Sequence, residues 1–544
     1  MGELAPMKLD SSQEKAVLSA ARRILVVAGP GSGKTRILAA RFSRLVQNGA
    51  GPERVLAVTF TNRAAREMRA RVLSTLPGAR PENISTFHSL GLRLLREEMP
   101  SLRLLARDEC RALLKELDAE EPDKALERIS AFKNGMAPDV ADSGLLSAYS
   151  ERLESLQAID FDDIVPASLR LIHSKSGRPF DHIMIDEYQD INPVQAAFVK
   201  ALAEGAESLL AIGDPDQAIY SFRGSSLRCF LDFEKEFGDT EIIRLGTNYR
   251  SGRAIAEASK ALISKNTERL PNEAAPAREG GSLEEVECGD EREEARHIIG
   301  EIERLMGGLT SLSVSDDIGL RFSDFAVLVR TNRQAELMAE EFARSPIPFH
   351  IVKPSGPGLA VFIKILRGLE APEDMPLQEF VMREAQMACL DSHALGLVEF
   401  ALKGAAGFEG REGLACLIDE LMLDTPSDNL DISADRVNIM TLHAAKGLEW
   451  RCVFLAGAED GLVPMRMKGE CDLEEERRLF YVGMTRAMDR LFLLRARKRR
   501  TWGESKECRR SPFLEELPAA LVEIRRMAAK IPPKKKPVQK GLFE

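Results

Sequence analysis

Residues 28–35 read AGPGSGKT, a glycine-rich loop that ends on a lysine and a threonine. Glycines at such spacing let backbone N–H groups close round phosphate oxygens, while the lysine reaches the β- and γ-phosphates and the hydroxyl after it holds Mg²⁺. Lys34 and Thr35 take those roles, and Ala28, Gly29, Pro30, Gly31, Ser32, Gly33 and Arg36 complete the nucleotide-contacting stretch. An acidic pair, Asp186 and Glu187, closes the apolar run HIMI at 182–185. Asp186 would hold the metal, and Glu187 would orient and deprotonate an attacking water. ATP and Mg²⁺ are the cofactors this chemistry requires.

These residues meet only if strands deliver them to one edge. The apolar runs at 24–28, 54–60, 182–186 and 208–213 read as strands of a parallel α/β core, each ending in glycine or acidic residues where ligand-binding loops emerge. Between them, residues 90–180 follow a helical pattern and read as an insertion. The plan repeats: 325–330, 437–442, 452–457 and 491–496 read as strands of a second parallel core, interrupted by the Ala-, Leu- and Glu-rich stretch 354–430. A linker is expected near 250–285, and residues 530–541, KIPPKKKPVQKG, read as a disordered basic tail.

With 544 residues, two to four domains are expected. The 44% hydrophobic and 29% charged composition contains no apolar run long enough for a bilayer. The N-terminal residues MGELAPMKLDSSQ lack an export signal, so a cytoplasmic protein is expected. Eight cysteines are scattered without CxxC spacing, which argues against zinc or iron–sulfur sites. The net charge of −10 does not exclude nucleic acid, because binding needs only a local basic stripe.

The ordered blocks LDSSQEKAV (9–17), AGPGSGKT, VTFTNRAAREM (58–68), STFHSL (85–90), IDFDDIV (159–165), IDEYQD (185–190), IGDPDQAIYSFRG (212–224), TNYRS (247–251), VLVRTNRQA (327–335), VNIMTLHAAKGLEW (437–450) and EEERRLFYVGMTRA (474–487) resemble those of superfamily 1 helicases of the UvrD/Rep/PcrA group. The resemblance implies an α/β fold of two RecA-like parallel-sheet domains, each with a helical insertion. It divides the chain into 1–90 with 181–250, an insertion at 91–180, 251–355 with 431–515, a reduced insertion at 356–430, and a C-terminal segment, 516–544. It also implies ATP-driven 3′→5′ movement along single-stranded DNA and a 3′-tailed duplex as substrate.

By the same resemblance Gln13 reads the adenine edge, Tyr249 stacks on its face, Gln217 senses the γ-phosphate, and Gly447 and Glu449 line the nucleotide from the second core. Arg250 and Arg486 reach the γ-phosphate from opposite sides of the cleft, a contribution typically of ~10³–10⁵ in rate. Phe60, Thr61, Asn62, His88, Tyr220, Phe222, Arg223 and His443 correspond to strand-contacting residues. Phe222 departs from the pattern, where tryptophan is usual. The stretch between Ile351 and Val437 is short for the family's second insertion, which bears on duplex opening. A translocase that strips proteins from DNA without separating strands is therefore an alternative, whereas a small-molecule kinase would not need the paired arginines or the aromatic loop. Finally, Gln539, Leu542 and Phe543 form QxxLF, similar to peptides that bind the bacterial sliding clamp, although Lys540 stands where leucine is more usual.

Overall fold

The computed structural model describes residues 9–77, 81, 83–136, 143–175, 179–272, 274–307, 319–352, 357–371, 375–390, 392–404, 410–423, 434–466, 471–501 and 504–526. The expected tail at 530–541 and the clamp-like Gln539, Leu542 and Phe543 lie outside the described residues.

In the first sheet the strands lie in the order Ile84–Thr86, Val55–Thr59, His182–Ile185, Ser208–Gly213, Arg23–Val27 and Glu241–Arg244, all parallel to their neighbours. Their runs are continuously apolar because both faces are covered. Leu25, Val27, Leu56, Ile183 and Leu209 pack on one side, and Ile24, Val26, Val55, Met184 and Leu210 on the other. The second sheet runs Phe349–Ile351, Val437–Thr441, Phe325–Val329, Trp450–Ala456, Ala487–Thr501, Ser282–Asp290 and Glu523–Arg526, with Glu504–Glu507 folded back antiparallel on Ala487–Thr501. These are two RecA-like sheets, and in both the functional loops leave the carboxyl ends of the strands.

The expected linker near 250–285 is instead built into the structure. Helix Arg253–Ile263 buries Ile255, Ala258, Leu262 and Ile263 in the second core, and Ser282–Asp290 is a full strand of its sheet. The strand was missed because its run SLEEVECGD carries four acidic residues; Glu284 and Glu285 are nonetheless buried, paired with Arg525 and with Arg495 and Arg510. The C-terminal segment is likewise not wholly separate. Leu517, Leu521 and Val522 pack on the second core, and Glu523–Arg526 adds an edge strand.

The first insertion holds helices Arg107–Glu116, Pro122–Lys133 and Ser143–Ser155 round Leu114, Ile129, Tyr149 and Leu153. Among the described residues the reduced second insertion holds four helices, Pro357–Arg367, Leu377–Met387, Ser392–Gly404 and Gly410–Leu423, with their own core of Phe362, Phe380, Val398 and Leu417.

Candidate functional site

The phosphate loop connects strand Arg23–Val27 to helix Lys34–Gln47. Val27 pairs with Gly213, and Ala28 N donates to Gly213 O at 2.9 Å, so the loop lies beside Asp214. On the other side of Ser208–Gly213 lies His182–Ile185, which delivers Asp186 and Glu187 to the same edge. Gly31 has φ 67°, and a Cβ there would lie 2.5 Å from Arg250 Cβ and 2.6 Å from Asn248 Oδ1. Glycine thus admits both the left-handed turn and the close approach of strand Thr247–Gly252. Tyr249 N donates to Gly31 O at 2.9 Å, which fixes the strand on the loop.

Lys34 Nζ sits 2.8 Å from Glu187. Burial opposes its charge, but Glu187, Asp186 and Asp214 outweigh it and hold Lys34 above the ordinary lysine range. Burial also opposes ionisation of Glu187, yet Lys34 and Lys446 draw it down to about 2, while Asp186, buried beside that charge, is pushed up to about 7. Glu187 occupies the left-handed region at φ 49°, a conformation that costs a non-glycine residue about 1–3 kcal/mol and is held by the buried turn Tyr188–Asp190. Gln189 Oε1 accepts from Asp214 N at 3.0 Å, and its amide donates to Glu187. An acidic pair beside a lysine and a half-buried Thr35 fits a Mg²⁺–nucleotide at this edge.

The second core reaches this edge through Arg486, which is 1% exposed. Its guanidinium donates to Val482 O at 2.9 Å, Leu448 O at 3.1 Å, Thr485 Oγ1 at 3.1 Å and, across the boundary, Gln217 Oε1 at 3.0 Å. All four acceptors are neutral oxygens. A buried cation so placed is suited to an arriving anion, and burial together with Arg250 draws its pKa down to about 9. Gln217 Nε2 in turn donates to Asp214 Oδ2 at 2.6 Å. Arg250 pairs with Glu449 and donates to Thr485 O at 3.3 Å, so it too spans the cores. Lys446 Nζ donates to Asp190 and, at 2.6 Å, to Gln217 O. Gly447 follows it with φ 82°.

An aromatic row crosses the same boundary. Phe60 stacks on Tyr220 with centroids 5.1 Å apart, Tyr220 lies 6.0 Å from Phe222, and Phe222 meets His443 edge-on at 5.3 Å. Tyr220 OH donates to His443 O at 3.2 Å, and Arg223 lies over both the Tyr220 and Phe222 rings. Phe222 is 60% exposed, which leaves its ring face open to stacking. His88 stands apart from this row, stacked at 3.9 Å on the exposed Phe161 of the first insertion.

Three expected contacts have other partners here. Gln13 is buried, accepts from Asp10 N and donates to Ser32 O at 2.9 Å, so its amide braces the loop. The Thr61 hydroxyl caps helix Asn62–Thr75 by accepting from Ala64 N at 3.1 Å. Asn62 is buried, and Ser89 Oγ is 3.4 Å from its Oδ1. Sequence reasoning did not single out Asp214, Gln189, Asp190, Lys446 or Phe161. All five lie within the quoted blocks; for Asp214 and Phe161 the available signal was a polar or aromatic residue close after an apolar strand, whereas Lys446 carried none.

The UvrD/REP helicase N-terminal domain matches residues 9–140 and 114–238, and the UvrD-like helicase C-terminal domain matches 243–356 and 397–498. The chain is 30% identical to ATP-dependent DNA helicase PcrA of Bacillus subtilis over 647 positions, covering 95% of this chain and 86% of that protein. It is 29% identical to PcrA of Leuconostoc citreum, covering 95% and 85%, and 28% identical to PcrA of Staphylococcus aureus strain MRSA252, covering 98% and 90%. The 647-position alignment exceeds the 544 residues of this chain, so the relative carries a stretch with no counterpart here. By its sequence and its paired sheets, the chain belongs to the UvrD/Rep family of helicases.

Proposed function

We propose that the chain is an ATP-dependent motor that moves 3′→5′ along single-stranded DNA and loads on 3′-tailed duplexes. The observation that carries this reading is the loop Asp214–Arg223, in which nucleotide chemistry and strand contact share one short stretch. Asp214 and Gln217 face the phosphate loop and Arg486, whereas Tyr220, Phe222 and Arg223 form the platform against His443. A change at the nucleotide therefore displaces the strand platform through only a few residues.

Mg²⁺, held by Thr35 and Asp186, would neutralise phosphate charge. Lys34 binds the terminal phosphates, Glu187 takes the proton of the attacking water, and Arg250 and Arg486 stabilise the developing charge when the cores close. Tyr249, 44% exposed beside Gly31, offers its face to the base. Gln13, Gly447 and Glu449 border that pocket. Phe60, His88 and His443 hold bases by stacking while the cores alternate their grip. We assign the protein to the cytoplasm; among the described residues no helix is long and apolar enough to cross a membrane.

A second reading, displacement of proteins from DNA with little strand separation, is favoured by one observation. The alignment with the Bacillus subtilis relative takes 647 positions against 544 residues here, so that relative carries a stretch with no counterpart in this chain, and residues 357–396 lie outside the C-terminal domain match. ATPase assays with oligonucleotide, on the native chain and on Lys34→Ala and Glu187→Gln, test the nucleotide site. Both variants should lose turnover yet still bind strand. Release of streptavidin from 3′- and 5′-biotinylated strands gives direction, and 3′- against 5′-tailed duplexes give strand separation. Turnover retained in either variant, or release from the 3′ end, would refute the reading.

A further inference from the structure

We infer that the turn Asn134–Met136 of the first insertion is the device through which strand occupancy is communicated to Glu187. This deepens the motor reading and rests on it. The turn follows helix Pro122–Lys133 and touches three places at once. Asn134 Nδ2 donates at 2.7 Å to Asp162 Oδ1, next to Phe161, whose ring stacks on His88. Asn134 Oδ1 accepts at 2.9 Å from Asn192 Nδ2, two residues beyond the buried turn Tyr188–Asp190 that holds Glu187 in its left-handed conformation. Met136 packs against Gly224, directly after Phe222 and Arg223; a Cβ at Gly224 would collide with its sulfur.

The anchoring on the insertion side is rigid. Lys133, the residue before the turn, is caged by Asp160 at 2.7 Å and Asp163 at 2.6 Å, and Tyr149 OH donates to Asp160 at 3.1 Å. Asp160 caps the short helix Phe161–Asp163 by accepting from Asp163 N at 2.9 Å. A base that engages Phe161 and His88 must therefore move that short helix, Asp162 and the turn together. On the other side Asn192 is fixed by a capping box with Gln195, so a pull on its side chain is delivered to the backbone leading from Glu187. Both strand-contacting surfaces of the first half converge on these three residues, and one hydrogen bond carries their position onward. Communication through this path is distinguished from folding by variants that keep the helix caps.

Asn192→Asp is the discriminating variant. Its carboxylate keeps the oxygen that caps helix Pro193–Ala203 but loses the donor to Asn134. Asn134→Ala removes the bonds to Asp162 and Asn192, together with the local donation to Ser130 O at 3.0 Å, while Asp162→Asn keeps the acceptor oxygen that Asn134 uses. Steady-state ATPase is measured with and without oligonucleotide, together with strand affinity by fluorescence anisotropy. In Asn192→Asp and Asn134→Ala the strand-stimulated rate should fall about tenfold, while unstimulated rate, KM for ATP and strand affinity stay within about twofold. The double variant should be no worse than Asn134→Ala, since both act on one path. Asp162→Asn should remain stimulated. Full stimulation in Asn192→Asp, or equal loss of stimulated and unstimulated rates, would overturn the inference. If the native chain itself shows no strand stimulation, the motor reading fails instead.

Discussion

Consider Arg486→Ala. The side chain lost is buried, makes four hydrogen bonds to neutral oxygens, and links the end of helix Leu473–Met484 to Gln217. Leaving buried acceptors without a donor costs about 1–3 kcal/mol each. Against this, a buried cation without a carboxylate hydrogen-bond partner disappears, and its desolvation penalty is itself several kcal/mol. The two effects oppose, so the variant should stay folded with a stability change of only a few kcal/mol. Catalysis has no such offset: an arginine that closes on the transferring phosphoryl group is worth ~10³–10⁵ in rate. On the proposed role, in which the guanidinium acts when the cores close, kcat should carry nearly all of the loss and KM for ATP little. Strand-stimulated ATPase kinetics and a thermal melt, run on the same preparation, check both halves of this argument. A folded variant whose kcat stays within about threefold of native, or whose defect lies in KM, would refute it.

Phe222→Ala should weaken single-strand binding by about 1–3 kcal/mol with little change in stability, since the ring is 60% exposed, and Phe222→Trp should tighten it; anisotropy titration decides, and unchanged affinity in both removes Phe222 from the track. His88 and His443 are both pushed down to about 4, by burial and, for His443, also by Arg330, Arg223 and Lys446. Unfolded imidazoles titrate near 6.5, so between there and about 4 the unfolded chain binds protons that the folded chain refuses, and stability falls as pH drops through that window. Both rings keep some contact with solvent, which limits the combined loss to about 1–2 kcal/mol by pH 5, and replacing both with glutamine should flatten the denaturant-midpoint profile there. Deleting residues 539–544 should abolish capture by a bacterial sliding clamp without altering strand-stimulated ATPase; clamp capture that survives the deletion would dispose of the QxxLF proposal.

That the phosphate loop and the acidic pair meet at one edge was legible in the sequence because each signal is local. A phosphate loop needs glycines next to Lys34, and a buried strand must end before Asp186, so short windows carry both signals. What escaped was set by distant partners. Ser282–Asp290 looks like a solvated acidic run until Arg495, Arg510 and Arg525 arrive from the other end of the chain to neutralise it. Lys446 reads as an ordinary loop lysine, and only the meeting of the two cores sets it between Asp190 and Gln217. Thr61 and Asn62 are a case of the opposite kind. Their block suggests strand contact, whereas the start of a helix claims the Thr61 hydroxyl and the packing of two helices buries Asn62.

The reduced insertion bears most directly on what the motor does with duplex. Helix Gly410–Leu423 ends against the first half, where Met422 and Leu423 join Leu92, Leu95, Leu104, Ile159 and Ile164 in one apolar cluster. Arg66 pairs with Glu420 at 3.1 Å, Arg96 with Asp419, and Arg367 with Glu109 at 2.6 Å. Such half-buried pairs contribute about 0.5–1 kcal/mol each, and one buried leucine about 1.5–3 kcal/mol, so the whole contact is a matter of a few kcal/mol. That is enough to bias the arrangement of the halves and small enough to be broken within one catalytic cycle. Arg66 and Arg96 lie on helices Asn62–Thr75 and Phe87–Glu98, which begin beside Phe60 and at His88. The insertion is therefore tied to the elements that carry the proposed strand platforms, and these charged residues are taken up inside the molecule. An insertion shortened and turned inward in this way is the physical ground for testing protein displacement beside strand separation.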